Sequence, residues 1–390
     1  MPDKSKVVHE QRKQEVLAFL HTHPDVIQKI ADYVHNPHVH KPSVRSDAEV
    51  VHSLLNAMAR DVVNGCSYHD AVNSLVSQIK ASTLCYYDLI GKGLAAHYPQ
   101  WEVKKNGRMT GVTLFGVTKK GVPKKVFVKS YCDVDTDEGE IDLTVMDELV
   151  DYAAFNIAKT CGVCVPKVKL KGVAGNAANG GKKSVYIFST DIAEGNKHPD
   201  ARYRYFNVEQ KPFSVSYQDG NLVAHEVTGE FVKYPLDKTS MARIQLIALM
   251  LNLTDLHRNS NIGYLVSDKQ GAVKVKLASV DFGSLNPATA IRCRDVPLLD
   301  LMNTEKKFSS DPMDFISKLT ESDYIDAFKK IEENFLPACD EVLARVKAMP
   351  FESEERKEQF SKKMAIWRAN FNEIQLVVGA AQSHLQAKPT

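Results

Sequence analysis

Apolar residues recur at three- and four-residue steps through Val7–Phe19, Asp25–Val34, Asp47–Val63 and Tyr68–Ile79, a spacing that places them on one face of a helix. Asp47 and Ser67 occupy N-cap positions, and Pro24, Pro37, Pro42 and Gly65 separate the segments, so residues 1–98 are predicted to be helical. The texture changes near Trp101. Gly107–Thr118 and Val122–Tyr131 are rich in β-branched and aromatic residues with Gly121-Val122-Pro123 between them, which predicts a hairpin. Helical spacing returns over Asp142–Thr160 and stops at Gly162. Pro166–Val173 and Ser184–Thr190 read as strands joined by the Gly/Asn-rich loop Ala174–Gly181. The span 195–238 is aromatic, polar and turn-rich, and short strands are predicted in it at Phe213–Tyr217 and Leu222–His225. Helix then dominates, at Ser240–Asn252, Pro312–Lys318, Glu321–Phe335 and from Pro337 to about Leu385, interrupted by a strand pair at Ile262–Val266 and Val273–Val280. The pattern divides the chain into a helical region (1–98), a β-rich unit with one helix (99–194), an insertion or linker (195–238) and a mostly helical region (239–390). The class is α+β.

Composition narrows the picture. A chain of 390 residues, 44% hydrophobic and 25% charged, has room for two or three packing units and is neither disordered nor collagen-like. Fifty basic and forty-eight acidic residues leave a net charge of +2, too balanced for a general nucleic-acid coat protein. The longest apolar run, Ile244–Leu253, is interrupted by Gln245 and Asn252 and falls well short of the ~20 residues of a membrane helix. The first thirty residues hold no apolar secretion-signal core. Seven scattered cysteines argue against a disulfide framework and for reducing surroundings. The expectation is a cytoplasmic protein with no transmembrane segment and no nucleic-acid partner.

The chemistry concentrates in one stretch. An apolar helix runs into Asp255-Leu256-His257-Arg258-Asn259-Ser260-Asn261, a strand pair follows, and Asp281-Phe282-Gly283 emerges from an apolar strand. Phosphoryl transfer needs an accepting group near the incoming hydroxyl and hard oxygen ligands that hold Mg²⁺ against the phosphates. Asp255 suits the first task; Asn261 and Asp281 suit the second.

This order resembles the protein-kinase-like superfamily. It is nearer to the atypical branches, the phosphoinositide lipid kinases and HipA-type bacterial kinases, than to ordinary eukaryotic protein kinases. Their catalytic loop carries Asp, one residue, His, then Asn, and ends in a strand; Asp255, His257 and Asn261-Ile262 follow that order, and Asp281-Phe282-Gly283 matches the metal-binding triplet. The step from Asp255 to Asn261 is one residue longer than the family's, so either the loop carries an extra residue or Asn259 is the ligand. Asn261 is favoured because Ile262-Gly263-Tyr264-Leu265 begins a strand directly after it. A register that takes His257-Arg258-Asn259 as a degenerate His-Arg-Asp puts Tyr264 at the metal-binding position and is rejected.

The resemblance extends upstream. It implies a strand lysine for the α/β-phosphates and a helix carboxylate to hold it. Lys129, ending Val126-Phe127-Val128-Lys129, and Glu148, inside the predicted helix, fit those roles, with Asp151 as second choice of partner. A buried lysine is costly unpaired, so such a partner is physically required. Gly107 and Gly111, within Asn106–Gly111, could form a shortened phosphate loop, though an ordinary turn is an equal reading. Asp191 and Ile192, after the strand Ser184–Thr190, fall by chain order at the adenine-contacting hinge. No Ala-Pro-Glu signature follows the triplet. The resemblance, covering roughly Gly107 to the Asp-Phe-Gly segment, implies a bilobal protein-kinase-like fold with an N-terminal helical extension. It implies transfer of the γ-phosphoryl of ATP, with Mg²⁺ or Mn²⁺, to a hydroxyl. A protein Ser/Thr is the first expectation, a lipid or small-molecule hydroxyl the alternative, and a catalytically weak pseudokinase scaffold a third. The drifted motifs and helical cap also resemble kinase effectors that intracellular bacteria such as Legionella inject into host cells, which would place the chain in a host cytoplasm.

Other features read more simply. Asp133–Gly139 opens like a calcium loop but has glycine one place late and Thr144 at the twelfth position, which fits a solvated acidic loop. Cys161 and Cys164 have redox or zinc spacing without a second pair. His35, His38 and His40 lie in a Pro-containing loop. Lys104, Lys105, Arg108, Lys119, Lys120, Lys124 and Lys125, with Lys167, Lys169, Lys171, Lys182 and Lys183, alternate with apolar residues as on a solvated sheet face; the functional alternative is a dock for a polyanion, an inositol phosphate or anionic lipid headgroup.

Overall fold

The computed structural model describes residues 4–25, 28, 54–56, 58–59, 61–63, 65–103, 111–117, 121, 123–130, 148–173, 184–195, 201–207, 213–218, 221–226, 233–253, 261–282, 290–304 and 319–387. The chain divides into two compact units, one of Met1–Asp135 with Val185–Ser189, the other of Thr136–Ser184 with Thr190–Thr390. Helices and antiparallel sheets make up both, as an α+β chain requires.

In the first unit α1 (Lys4–His21) and α2 (Tyr68–Gly91) precede an antiparallel meander of β1 (Gln100–Val103), β2 (Gly111–Val117) and β3 (Pro123–Ser130). The other neighbour of β3 is β5 (Ser184–Thr190), from much later in the chain. The Ser67 hydroxyl caps α2 by accepting the Asp70 N–H at 3.1 Å. The helix runs past Ile79, where sequence spacing predicted its end, because Cys85, Tyr86 and Leu89 continue the apolar face. Leu54, Met58, Leu75, Leu89, Trp101, Leu114, Val126, Val128, Tyr186 and Phe188 share one core, and Tyr86 stacks on Trp101 with ring centres 4.7 Å apart. The amino-terminal helices therefore complete the hydrophobic face of this sheet.

The second unit opens with α3 (Glu148–Thr160), buried on nearly every side and ended by Gly162 at φ +83°, a left-handed cap that glycine adopts without strain. After it come β4 (Val168–Val173), the short α4 (Ile192–Gly195), β6 (Ala201–Asn207), β7 (Phe213–Gln218), β8 (Asn221–Glu226), β9 (Lys233–Pro235), α5 (Lys238–Met250), β10 (Ile262–Lys269), β11 (Ala272–Ser279), α6 (Leu298–Thr304), α7 (Glu321–Lys347) and α8 (Glu354–Ala387). Apart from β4, these strands form two three-stranded sheets, β11-β10-β6 and β7-β8-β9.

Three elements differ from expectation. Sequence reading left β6 in a turn-rich stretch, whereas its Arg202-Tyr203-Arg204-Tyr205 alternation makes it the third strand beside the β10–β11 hairpin. α6 went unrecognised. Pro337 does not separate two helices: α7 passes straight through it. Proline removes a backbone donor and disfavours a helix interior, but Phe335, Ala338, Cys339 and Val342 are buried around it, so packing against α3, α5 and α8 overrides the local preference. The predicted helix Pro312–Lys318 and most of Asp25–Val34 lie outside the described residues. No described helix is long and apolar enough to cross a membrane.

Gly263 in β10 is held by a close approach. A Cβ there would stand 2.3 Å from the Phe206 carbonyl oxygen and 2.5 Å from the Tyr205 ring, both on the neighbouring strand. Gly263→Ala is expected to destabilise the protein by about 1–3 kcal/mol through forced strand separation, read as a lowered urea midpoint. An unchanged midpoint would contradict this packing.

Candidate active site

The β10–β11 hairpin turns through Gln270 (φ +52°) and Gly271 (φ +84°), the pair of left-handed residues that a tight hairpin favours. Its register then runs unbroken from Lys269↔Ala272 at the turn to Ile262↔Ser279 at the open end. Asn261, 8% exposed, sits at that open end, and its carbonyl accepts the Val280 N–H at 2.9 Å. The Ser279 hydroxyl lies 3.3 Å from the Asn261 carbonyl oxygen and 3.0 Å from that of Asp281. The main chain thus sets Asn261 and Asp281 side by side. Phe282 follows, buried, with its ring centre 4.7 Å from Phe155 of α3, which anchors the start of the triplet.

The approach to the loop is fixed from the other side. Asn252 closes α5 in a left-handed conformation (φ +53°) that asparagine tolerates, and Leu253 N–H returns to the Ala248 carbonyl at 2.9 Å. The side chain of Asn370 on α8, fully buried, donates to the Met250 carbonyl at 2.9 Å and accepts the Ile291 N–H at 2.8 Å. One amide therefore joins the end of α5 to the segment that follows Phe282. Sequence reading missed Asn370; the available signal was a polar residue inside the apolar stripe Met364, Trp367, Phe371, Ile374.

Asp255, His257 and the alternative ligand Asn259 lie outside the described residues, as does Gly107. Lys129 is 7% exposed near the end of β3 and pairs in register with Gly111, whose carbonyl accepts the Ser82 hydroxyl at 2.6 Å. In the second unit Glu148 is the first residue of α3, 4% exposed, and its carboxylate accepts an N–H from Arg356 at 2.7 Å. Asp151, one turn further along, is fully buried. The Asp191 carboxylate accepts the Ala193 N–H at 2.9 Å and so opens α4, while Ile192 is buried beside Leu265 and Ala278. With the Ile192 side chain in the core, only backbone at this point can meet a ligand. The structure brings Asn261 and Asp281 together and, in the other unit, Lys129 and Gly111.

Burial drives the Tyr264 phenol well above its ordinary range, so it remains a neutral core group. Burial also pushes the Cys161 and Cys339 thiols up to about 12 and Cys164 to about 11. Among the described residues no group of three or more His, Cys, Asp or Glu could hold a metal ion. The His35–His40 cluster and the 133–139 acidic loop lie outside them. In the basic set, Lys124 donates to the Tyr98 hydroxyl at 3.0 Å, and Lys167 and Lys169 are exposed on either side of buried Val168.

The raised thiols have a consequence. The folded state keeps its thiol protons above pH 8.5, where an unfolded chain loses them, so stability falls as pH rises from about 9. Only the thiolate is nucleophilic, so iodoacetamide at pH 8 is expected to label exposed Cys66 and to spare Cys161 and Cys339. Peptide mass spectrometry checks this, and rapid labelling of Cys161 in the native protein would contradict it.

No protein-family model matches the sequence, and no curated protein is significantly similar to it. Among solved structures, the chain is similar to the Helicobacter pylori proinflammatory kinase CtkA, with a TM-score of 0.39 and 14% identity over 75% of this chain and 97% of that one. It is similar to the Golgi casein kinase with Mn/ADP bound, with a TM-score of 0.33 and 8% identity over 76% of this chain and 77% of that one. A third likeness is to the Rio2 kinase from Chaetomium thermophilum in complex with ADP/Mg²⁺ and phosphoaspartate, with a TM-score of 0.29 and 14% identity over 84% and 99%.

Proposed function

We propose that this chain is an ATP-dependent phosphotransferase of the protein-kinase-like kind that passes the γ-phosphoryl group to a hydroxyl, with a protein Ser/Thr as acceptor. The observation that carries the reading is the meeting of Asn261 and Asp281 at the open end of the β10–β11 hairpin. An amide oxygen and a carboxylate are the hard donors that Mg²⁺ or Mn²⁺ takes. A bound cation would neutralise charge on the phosphates.

The remaining work falls to the protein. Lys129, held on a buried strand, would contact the α/β-phosphates, and Glu148 would hold Lys129. The backbone at Asp191-Ile192 would meet adenine. Asp255 would orient the incoming hydroxyl and accept its proton as the phosphoryl group leaves ADP. Incubation with γ-labelled ATP and Mg²⁺ or Mn²⁺ tests this: label on a protein acceptor that vanishes in Asp281→Ala supports it. Metal-dependent nucleotide binding without transfer would replace it with a scaffold role.

A further inference from the structure

We infer that Arg356 is a positioning residue for Glu148, and that α8 is the bar that sets α3 in register with the segments flanking the Asn261–Asp281 site. The inference rests on the phosphotransferase reading for the meaning of Glu148, but its geometry lies wholly within the second unit.

The pair joins residues 208 positions apart. An Arg356 guanidinium nitrogen stands 2.7 Å from Glu148 Oε1, with the carboxylate almost fully covered and the arginine side chain 20% exposed. The same nitrogen lies 3.8 Å from Glu352, whose side chain is fully covered. The guanidinium therefore hydrogen-bonds the Glu148 carboxylate and stands within ion-pair distance of a second, that of Glu352.

Arg356 is itself fixed by local structure. Its N–H donates to the Ser353 hydroxyl at 3.3 Å, Lys357 N–H donates to the Ser353 carbonyl at 3.1 Å, and Ser353 N–H donates to Glu352 Oε1 at 3.1 Å. These bonds form the capped first turn of α8, so the guanidinium projects from a defined start. Fourteen residues further along, about 21 Å at helical rise, Asn370 of the same helix binds the Met250 carbonyl and the Ile291 N–H. Between them Phe360, Met364 and Trp367 are buried. A single rigid helix thus grips the first residue of α3 at one end and the flanks of the metal-binding hairpin at the other. A surface ion pair would contribute little; this pair is covered, and removing one member leaves a buried carboxylate short of a donor.

The experiment compares wild type, Arg356→Ala, Arg356→Lys, Glu148→Gln and the Arg356→Ala/Glu148→Gln double variant, with Asp281→Ala as reference. Arg356→Ala is expected to lower kcat and raise the KM for ATP, for a combined loss of about 10- to 100-fold, the range seen when partners that orient a site residue are removed. The KM for the acceptor should stay unchanged, and Arg356→Lys should recover part of the loss. In the Glu148→Gln background Arg356→Ala should add nothing, because both changes remove the same element. Circular dichroism and melting curves identify folded variants; if Arg356→Ala does not fold, Arg356→Lys and Glu148→Gln carry the comparison. Kinetics of folded Arg356 variants within twofold of wild type, or losses that multiply in the double variant, overturn the inference while Asp281-dependent transfer stands. Absence of Asp281-dependent transfer in wild type overturns the phosphotransferase reading and the role given to Arg356 with it.

Discussion

Replacing Asp281 with alanine is expected to reduce ATP-dependent label transfer by about 10³-fold, while the melting temperature shifts by only a few degrees. A carboxylate that anchors a catalytic cation contributes several kcal/mol of charge stabilisation in the transition state, and 1.36 kcal/mol corresponds to a factor of ten in rate. The fold should survive because this corner is also shaped by backbone hydrogen bonds and by the packing of Phe282, which the substitution leaves in place. The Ser279 hydroxyl lies against the Asp281 backbone carbonyl, Val280 N–H is held by Asn261, and Phe282 is anchored by Phe155. A variant that melts normally and still transfers label at the wild-type rate would remove Asp281 from the reaction.

The largest stability effect is expected at Phe371. Its ring is buried between α7 and α8, nearly parallel to Phe335 at 5.1 Å and to Phe328 at 5.9 Å. Phe371→Ala removes one layer of that stack and leaves a void the two long helices cannot close without moving. Such truncations cost about 3–5 kcal/mol, measured as a fall in the urea midpoint. Conservative Phe371→Leu should cost less. An unfolding free energy within about 0.5 kcal/mol of wild type would mean that the helices repack freely, contrary to the burial along both.

Much of this architecture was legible in the residues because local pattern and tertiary placement agree. The strand pair read at Ile262–Val266 and Val273–Val280 is the β10–β11 hairpin, and a hairpin brings the residues that precede its first strand and follow its second, Asn261 and Asp281, to the same end. Lys129 was legible as the end of an alternating strand, and Glu148 as a residue inside the helix predicted over Asp142–Thr160. Illegible were features that depend on distant partners. β6 is a strand because β10 supplies its hydrogen bonds; its own tyrosines and arginines are equally at home in an exposed loop. α7 continues through Pro337 because three helices pack on it, a force invisible to any local window. The partnership of Glu148 with Arg356 joins two acidic or basic positions among many, and nothing in their spacing singles them out.

The composition of the first unit constrains the order of events during synthesis. Tyr186 and Phe188 belong to its core, and β5 covers the edge of β3, yet both arrive only after the chain has already entered the second unit. A nascent polypeptide emerging from the ribosome must therefore carry an unfinished sheet, with one margin of β3 unsatisfied, until roughly fifty further residues have been translated. Completion of the amino-terminal unit is consequently gated by the segment that begins its neighbour.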